Sequence, residues 1–283
     1  MNQAASVRAK LLNLAKSQNH EHGTLLMRYA LERFLYRLGC SKHREQFVLK
    51  GAMLLLARNP NFRRVTKDLD LLGFGDPAED HILECIRTCC ETPVEDDGVT
   101  FDITTMTCQP IREELEYGGL RVLLKASIGS AVLPLQIDIG FGDAITPQPE
   151  DLSLPTLLGH AAPNLKAYPI LTVIAEKIHA ITTLGMANTR LKDYYDLYSI
   201  AKAFTINPTD LQTALQRTFA NRNTIMFTTL PLGLTEEFAL SNVKITQWQA
   251  FLKRNKINPN ELTLTQVVAE ITPWLVLVTD EKQ

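Results

Sequence analysis

The sequence lacks the features that mark disulfide scaffolds, membrane spans and secreted precursors. Its five cysteines form no CxxC pair, and this odd set is typical of free thiols in a reducing compartment. The longest purely apolar run, residues 52–57, is far below the roughly 20 residues that cross a bilayer. The N-terminus has no charged start followed by an apolar stretch, so we expect no secretory signal. A cytoplasmic protein without membrane contact is therefore expected.

The chain also lacks an excess of either charge. Lys and Arg total 29 and Asp and Glu total 31, which gives a net charge of −2. Many duplex-binding domains are strongly basic, so contact with a nucleic acid would have to use a local patch. With 45% hydrophobic and 21% charged residues, the composition is that of a globular protein and argues against disorder. A length of 283 residues indicates two domains, or one large domain with appended elements.

The first part of the chain predicts helices followed by a sheet. Apolar residues recur at helical spacing through the first forty residues, and residues 47–58 read as a strand, a turn at Lys50 and Gly51, and a helix. The later strand-like segments predict a mostly antiparallel or mixed sheet, so the fold class is α/β (α+β). A helix is expected over 79–90, and strands over 99–105, 120–128 and 132–139.

Prolines between residues 147 and 169 predict a loop-rich connection, which we take as the domain boundary. Residues 1–165 are then expected to hold the N-terminal helices and the sheet, and 166–283 a helical C-terminal domain. Helices of this second domain are predicted over 171–184, 191–204, 210–220, 248–253 and 262–277.

Three carboxylates carry the chemistry that the sequence indicates. Asp68 and Asp70 are two residues apart, so on a strand both point to the same face while Leu69 and Leu71 point into the core. Asp138 has the same phase on a later strand. If the two strands are neighbours, the three carboxylates meet, and they repel one another unless a cation such as Mg²⁺ lies between them. The alternative is that Asp68 and Asp70 are solvated aspartates on an exposed strand face, without a metal.

The turn at Lys50, Gly51 and Ala52 precedes a helix N-terminus, where free backbone N–H groups favour a phosphate. A phosphate-binding turn and metal-binding carboxylates belong to the same chemistry. A glycine between a strand and a helix is nevertheless common, so this turn alone is weak support.

A second cluster of charged residues lies in the helical half. Lys177 is at the margin of an apolar helix stripe, where a long cation can reach into a cleft. Together with Arg190 and Lys192 it could bind a triphosphate. Lys192 and Asp196 also have the i, i+4 spacing of a plain surface ion pair.

One further set of candidate metal ligands lies on the helix predicted over 79–90. His81, Cys85 and Cys89 follow one another at four-residue spacing on the predicted helix, which could align three metal ligands. A structural zinc site needs a fourth ligand that the local sequence does not supply, and Cys is often simply buried.

Four motifs in this order resemble the AbiEii/AbiGii toxin family of nucleotidyltransferases. They are residues 47–52, 64–71, 136–143 and 176–197. The likeness runs from about Arg44 to Tyr198 and extends more loosely to the C-terminus. It implies a minimal nucleotidyltransferase fold of the DNA polymerase β superfamily, followed by a helical region.

The resemblance also assigns roles. It implies the toxin of a toxin–antitoxin or phage-defence (abortive infection) operon, with an antitoxin as partner, and transfer of a nucleoside monophosphate from an NTP. Gly51 then belongs to the phosphate turn, Asp68 and Asp70 to the metal pair, and Lys177 to triphosphate binding. Asp196 matches the acidic residue of the last motif, and Asp138 has the strand position of the third carboxylate. Mg²⁺ is the expected metal, with Mn²⁺ as the other candidate.

One residue departs from the superfamily pattern. Gly-Ser is usual at the phosphate turn, whereas this chain has Gly51-Ala52, so a serine hydroxyl contact to the phosphates is missing.

The acceptor is left open by the sequence. Relatives suggest the tRNA 3′ end, and the alternatives are nucleotidyl transfer to a protein or a small molecule, or a non-catalytic module that binds an NTP and a partner. Cations that could form an RNA-binding surface are Arg63, Arg64 and Lys67, and near the C-terminus Lys253, Arg254 and Lys256.

Overall fold

The computed structural model describes residues 2–59, 61–64, 66–111 and 118–280, except for the side chains of residues 276–280. It has a mixed α/β fold in two compact units. Unit 1 comprises Met1–Ala57, Val65–Gly142 and Pro149–Ala167, and unit 2 comprises Arg58–Arg64, Asp143–Gln148 and Tyr168–Gln283. The sequence-based division at residue 165 stays a prediction.

Unit 1 begins with the two helices that the sequence predicts. Helix α1 spans Gln3–Ser17, and its N-terminus is capped by the Asn2 side chain, which accepts a hydrogen bond from the Ala4 N–H at 3.0 Å. Helix α2 spans His22–Cys40 and is buried along most of its length. It packs against both α1 and the sheet, and so forms the core layer of the unit.

A seven-stranded mixed sheet forms the other layer, in the order β3-β4-β5-β2-β1-β7-β6. Strands β2 and β5 pair in parallel, as do β1 and β7, and the remaining pairs are antiparallel. The strands are β1 (Phe47–Lys50), β2 (Asp68–Gly73), β3 (Thr100–Ile111), β4 (Gly119–Ile128), β5 (Ala131–Phe141), β6 (Glu150–Ser153) and β7 (Asn164–Ala167). Two helices accompany them in chain order, α3 (Gly51–Arg58) and α4 (Glu79–Glu91).

The expectation of a loop-rich connection after Pro147 was wrong in part. Strands β6 and β7 lie within it and extend the sheet beyond β1. Both are four residues long, too short for an alternating pattern to stand out from the prolines around them. This segment therefore completes the sheet of unit 1.

The two faces of the central strands differ sharply in polarity. Leu69 and Leu71 of β2, and Ile137 and Ile139 of β5, are fully buried. Their neighbours of opposite phase, including Asp68, are polar and half-buried. Period-two alternation thus places the apolar side chains toward the helices and leaves the charged ones together on the opposite face.

Unit 2 is helical in the part that the structure describes. Its central helix, α5, is apolar through its middle and packs against α6 and α7. Tyr194 of α6 is fully buried, stacks on Phe238 and donates a hydrogen bond to the Gly233 carbonyl at 2.7 Å. The helices are α5 (Ile170–Leu184), α6 (Leu191–Ala203), α7 (Pro208–Asn221), α8 (Glu236–Leu240), α9 (Asn242–Arg254) and α10 (Leu264–Asp280).

One window, Ile170–Ala187, is long and apolar enough to cross a membrane by length and composition alone. It coincides with α5, and half of it is buried inside the protein. Glu176 and Lys177 interrupt the apolar residues of this window, so it contains no long uninterrupted apolar run. A core helix has these same properties, and α5 packs as one within unit 2.

Candidate active site

Three carboxylates converge on the polar face of the sheet in unit 1. Strands β2 and β5 are parallel neighbours, with Asp68 opposite Gln136 and Asp70 opposite Asp138. One carboxylate oxygen from each of Asp68, Asp70 and Asp138 lies within 4.8 Å of the others, and all three residues are half-buried. The strand adjacency on which the sequence argument depended is therefore present.

Neighbouring side chains hold two of these carboxylates in place. Thr66 donates its hydroxyl to Asp68 Oδ1 at 2.7 Å. Arg121 of β4 binds Asp138 through two parallel hydrogen bonds, Nε to Oδ1 and Nη2 to Oδ2, each 2.8 Å long. Gln136 adds a third hydrogen bond to Asp138 Oδ2 at 3.0 Å. The hydrogen bond to Asp138 raises the pKa of Arg121 further above its ordinary value, despite the opposing effect of burial.

Sequence reasoning missed Arg121, although a signal for it exists. Strands β4 and β5 form a hairpin whose loop is Gly129 and Ser130, since Ile128 pairs with Ala131. A two-residue loop fixes the register of the whole hairpin. Counting back from that loop pairs Arg121 with Asp138, as the structure has it.

The predicted phosphate turn lies beside the carboxylates. Lys50, the last residue of β1, is opposite Asp70 in the antiparallel pair with β2. Gly51 begins α3 with a φ of +67°, and a Cβ atom built on it would collide with the Asp70 carboxylate. Only glycine combines this left-handed backbone with so close an approach. Ala52 follows and is almost completely buried.

The carboxylate cluster has the donor set that a hard divalent cation requires. Oxygens bound to one Mg²⁺ lie about 3–4 Å apart, as its 2.0–2.1 Å metal–oxygen distances imply. Three carboxylate oxygens within 4.8 Å are close to that arrangement. Arg121 offsets the negative charge of one of them, Asp138. Asp68, Asp70 and Asp138 therefore fit a Mg²⁺ or Mn²⁺ site. Among the described residues, no other group of three or more His, Cys, Asp or Glu side chains converges in this way.

The structure does not bring His81, Cys85 and Cys89 together as a group of metal ligands. Cys85 Sγ is 3.5 Å from His81 Nε2, while Cys89 Sγ contacts the Ser41 hydroxyl instead. Burial raises the pKa of the Cys89 thiol to about 11, which disfavours the thiolate that a metal would need.

In unit 2, Lys177 lies in a buried network of charges. Its Nζ is 2.7 Å from Asp193 Oδ1 and 2.8 Å from Asp196 Oδ2. Arg64 binds Asp196 through a fork at 2.8 and 3.1 Å, and Arg190 Nε is 2.8 Å from Asp193 Oδ2. Three cations and two carboxylates thus meet in a network between Arg64, α5 and the start of α6.

Burial and charge act against each other in this network. Burial alone would raise the pKa of Asp193, but the charges of Lys177 and Arg190 lower it to about 2. Burial would lower the pKa of Lys177, and the two carboxylates raise it above its ordinary value. Both groups are therefore ionised at neutral pH.

The other predicted residues of this cluster differ in exposure. Arg190 is half-exposed and Lys192 is exposed, whereas the Asp196 side chain is completely buried. Asp196 therefore belongs to the buried network rather than to a plain surface pair with Lys192. Arg64, suggested as part of an RNA-binding surface, is also bound into this network, with only 12% of its side chain exposed. Asp193 was not predicted, although it lies within the fourth motif.

His179 has a structural environment. It is buried, with Nε2 3.0 Å from the Thr224 hydroxyl and Nδ1 3.3 Å from Arg222. Burial, helped by the charge of Arg222, lowers the pKa of His179 to about 4, so the ring is neutral at pH 7.

Comparisons with known proteins agree with this geometry. Residues 33–269 match the family described as nucleotidyl transferase AbiEii toxin, type IV toxin–antitoxin system. The solved structure of JHP933 from Helicobacter pylori is similar over 91% of this chain and 92% of that one, with a TM-score of 0.53 and 14% identity. An H. pylori protein assigned as a nucleotidyltransferase is similar over 91% and 95%, with a TM-score of 0.53 and 16% identity.

No curated protein matches the chain in sequence. The two structural neighbours support the fold, and the family match supports the activity: the enzyme is a nucleotidyltransferase, and its family implies an NTP substrate and an antitoxin partner. The family match covers well over half of the 283 residues, including all three carboxylates and Lys177. The chain belongs to the AbiEii family of nucleotidyltransferase toxins of type IV toxin–antitoxin systems.

Proposed function

We propose that this toxin transfers a nucleoside monophosphate from an NTP to the 3′ end of tRNA, with Mg²⁺ as the metal. The observation that carries the proposal is the convergence of Asp68, Asp70 and Asp138 beside the Gly51 turn. Carboxylates that bind a metal and a turn that binds phosphate are the two parts that phosphoryl transfer requires. We place the reaction in the cytoplasm, where NTPs and tRNA are available.

In this reaction the 3′-hydroxyl oxygen of the acceptor attacks the α-phosphorus of the NTP. A new oxygen–phosphorus bond forms, the bond from the α-phosphorus to the bridging oxygen breaks, and pyrophosphate leaves. Asp138 accepts the hydroxyl proton and so activates the acceptor. Arg121 and Gln136 orient its carboxylate for this role.

Asp68 and Asp70 hold the metal, with Asp138 completing the site. A bound Mg²⁺ supplies charge neutralisation around the reacting phosphate. The N–H groups at Gly51 and Ala52 bind the triphosphate, with Lys50 beside them. The resemblance to the family gives Lys177 a role in triphosphate binding, and Arg190 brings a second, half-exposed cation to the same network. We assign Arg190, whose side chain is 50% exposed, and Lys192, an exposed residue of α6, to the same triphosphate site.

The test is transfer of label from each α-³²P-NTP, with Mg²⁺, to purified tRNA and to proteins of a lysate. We expect one NTP to label tRNA, no label with Asp70→Asn, and normal labelling with Asp80→Asn, a matched change at an exposed position of α4. Asp68→Ala should relieve toxicity in cells. Label on a protein or small molecule would replace tRNA as the acceptor. The proposal fails if nothing is labelled and Asp68→Ala remains toxic.

A further inference from the structure

A cleft of about 440 Å³ opens in unit 1 next to the carboxylate cluster. Its lining combines two lysines, Lys67 and Lys125, with two threonines, Thr105 and Thr107. Apolar side chains that include Leu123 form part of its surface. Both lysines are exposed. None of these residues has a role in the reaction described above.

The cleft and the carboxylate cluster share a wall. Gln136 lines the cleft and also donates the hydrogen bond to Asp138 Oδ2. Across the sheet, Gln136 pairs with Asp68 on one side and Leu123 on the other, and Leu123 pairs with Thr107. Within the lining, Gln136, Leu123 and Thr107 therefore lie one side-chain row from the row of Asp70 and Asp138. Two residues along a strand span about 6.6 Å, a distance comparable to one nucleotide step in an extended single strand.

The chemistry of the lining fits a nucleotide rather than a protein segment or a small neutral molecule. Lysine ammonium groups bind phosphate, a threonine hydroxyl such as that of Thr107 donates to sugar or phosphate oxygens, and an apolar surface accepts a base. The Thr105 hydroxyl is already used within the sheet, since it donates to the Asp102 carbonyl at 2.7 Å and accepts from the Lys125 N–H at 3.0 Å. Asp102, the cross-strand partner of Lys125, uses Oδ1 to accept hydrogen bonds from the backbone N–H and hydroxyl of Thr104. It is not part of the lining.

We infer that this cleft binds the acceptor RNA strand through the nucleotide that precedes its 3′ end. Lys67 and Lys125 contact the phosphate groups, and the terminal hydroxyl extends past Gln136 to the carboxylates. This inference rests on the proposed transfer to RNA and assigns the acceptor subsite to residues of β3, β4, β5 and the approach to β2.

The test measures RNA binding without catalysis. A fluorescein-labelled single-stranded RNA octamer with a free 3′-hydroxyl is titrated with the full-length protein, and anisotropy is recorded at several salt concentrations. For the double variant Lys67→Ala/Lys125→Ala we expect affinity to fall about tenfold. The slope of log K against log salt should fall by about 1.4, because each phosphate contact on a single strand contributes about 0.7. Lys10→Ala, which removes an exposed lysine of α1, should change neither quantity.

A second measurement locates the 3′ end. In the transfer reaction the double variant should raise KM for tRNA and leave KM for the NTP unchanged. The inference is overturned if the double variant binds the octamer as the wild type does, if the wild type does not bind it, or if KM for the NTP rises equally. The octamer titration needs no turnover, so its result is independent of the labelling assay. RNA binding can be absent while tRNA is labelled, and RNA can bind while nothing is labelled, so the two proposals can be refuted separately.

Discussion

Replacing Lys177 with methionine tests whether the buried charge network of unit 2 supports the fold. The Lys177 side chain is 13% exposed, and the two carboxylates that it contacts are 1% and 0% exposed. In Lys177→Met each carboxylate keeps a single cation, Arg190 on Asp193 and Arg64 on Asp196. Breaking a buried ion pair by removing one partner typically costs about 3–5 kcal/mol.

The expected effect is large enough to measure by thermal unfolding. At about 2–4 °C for each kcal/mol in a domain of this size, the loss corresponds to a fall in Tm of roughly 10 °C. Lys192→Met provides the matched control, since it removes the same charge from an exposed position of α6. Its free energy of unfolding should stay within about 0.5 kcal/mol of the wild type.

A double variant separates the structural role of Lys177 from its proposed role in binding. Lys177→Met/Asp193→Asn removes both partners of the 2.7 Å contact, so it should be less destabilised than the two single changes together predict, by about 1–3 kcal/mol. Its NTP affinity should stay low, because the cation is still missing. The reasoning is refuted if Lys177→Met melts with the wild type, or if restored stability restores NTP binding.

Three further outcomes follow from the same contacts. Gly51→Ala should abolish labelling, since its Cβ would displace the Asp70 carboxylate. Gly75→Ala should keep activity, because Gly75 also has a left-handed backbone (φ +96°) but open space around it. An equal loss of labelling in both variants would contradict this. Arg121→Gln should lower Tm in the absence of metal, because the charge of Asp138 is then no longer offset by a guanidinium. Adding Mg²⁺ should raise Tm more in this variant than in the wild type, since the metal then offsets that charge. An equal rise in both proteins would count against this reasoning. The pKa of Asp193 is about 2, against an ordinary value of 3.8, and this difference contributes about 2 kcal/mol of stability. That contribution is present above pH 4 and is lost as the pH falls toward 2. In acid unfolding, Asp193→Asn should flatten the plot of stability against pH over this range.

Alternation predicted the carboxylate face of the sheet, because a two-residue period leaves no choice of side for Asp68 and Asp70 once Leu69 and Leu71 are buried. The pairing of β2 with β5 is a long-range contact that no local pattern specifies, so it could be predicted from the sequence only as a condition. Strands β6 and β7 escaped prediction for a related reason. They are short, and their pairing partners lie far away in the chain or across the prolines.

The network around Lys177 could be predicted only in part. The i, i+4 spacing of Lys192 and Asp196 suggested a local surface pair, whereas Asp196 is bound by Lys177 of the preceding helix and by Arg64, 132 residues away in the chain. A local pattern gives no weight to partners so distant. Burial decides which partner Asp196 takes. A fully buried carboxylate needs cations that are themselves removed from solvent, and the exposed Lys192 is not such a cation.

The departure at Ala52 removes a side-chain contact from the proposed phosphate turn and leaves its backbone geometry intact. Ala52 is 1% exposed, so the side chain at this position packs inside unit 1, where a hydroxyl would need a buried partner. The backbone of the turn does not depend on that side chain. Its position is set by Gly51, whose left-handed backbone packs against the Asp70 carboxylate. Because that close approach ties the position of the turn to the position of the carboxylate, the backbone of β1 and β2 sets the spacing between the proposed phosphate site and the proposed metal site. An enzyme built in this way can lose the serine hydroxyl and keep the geometry on which nucleotidyl transfer depends.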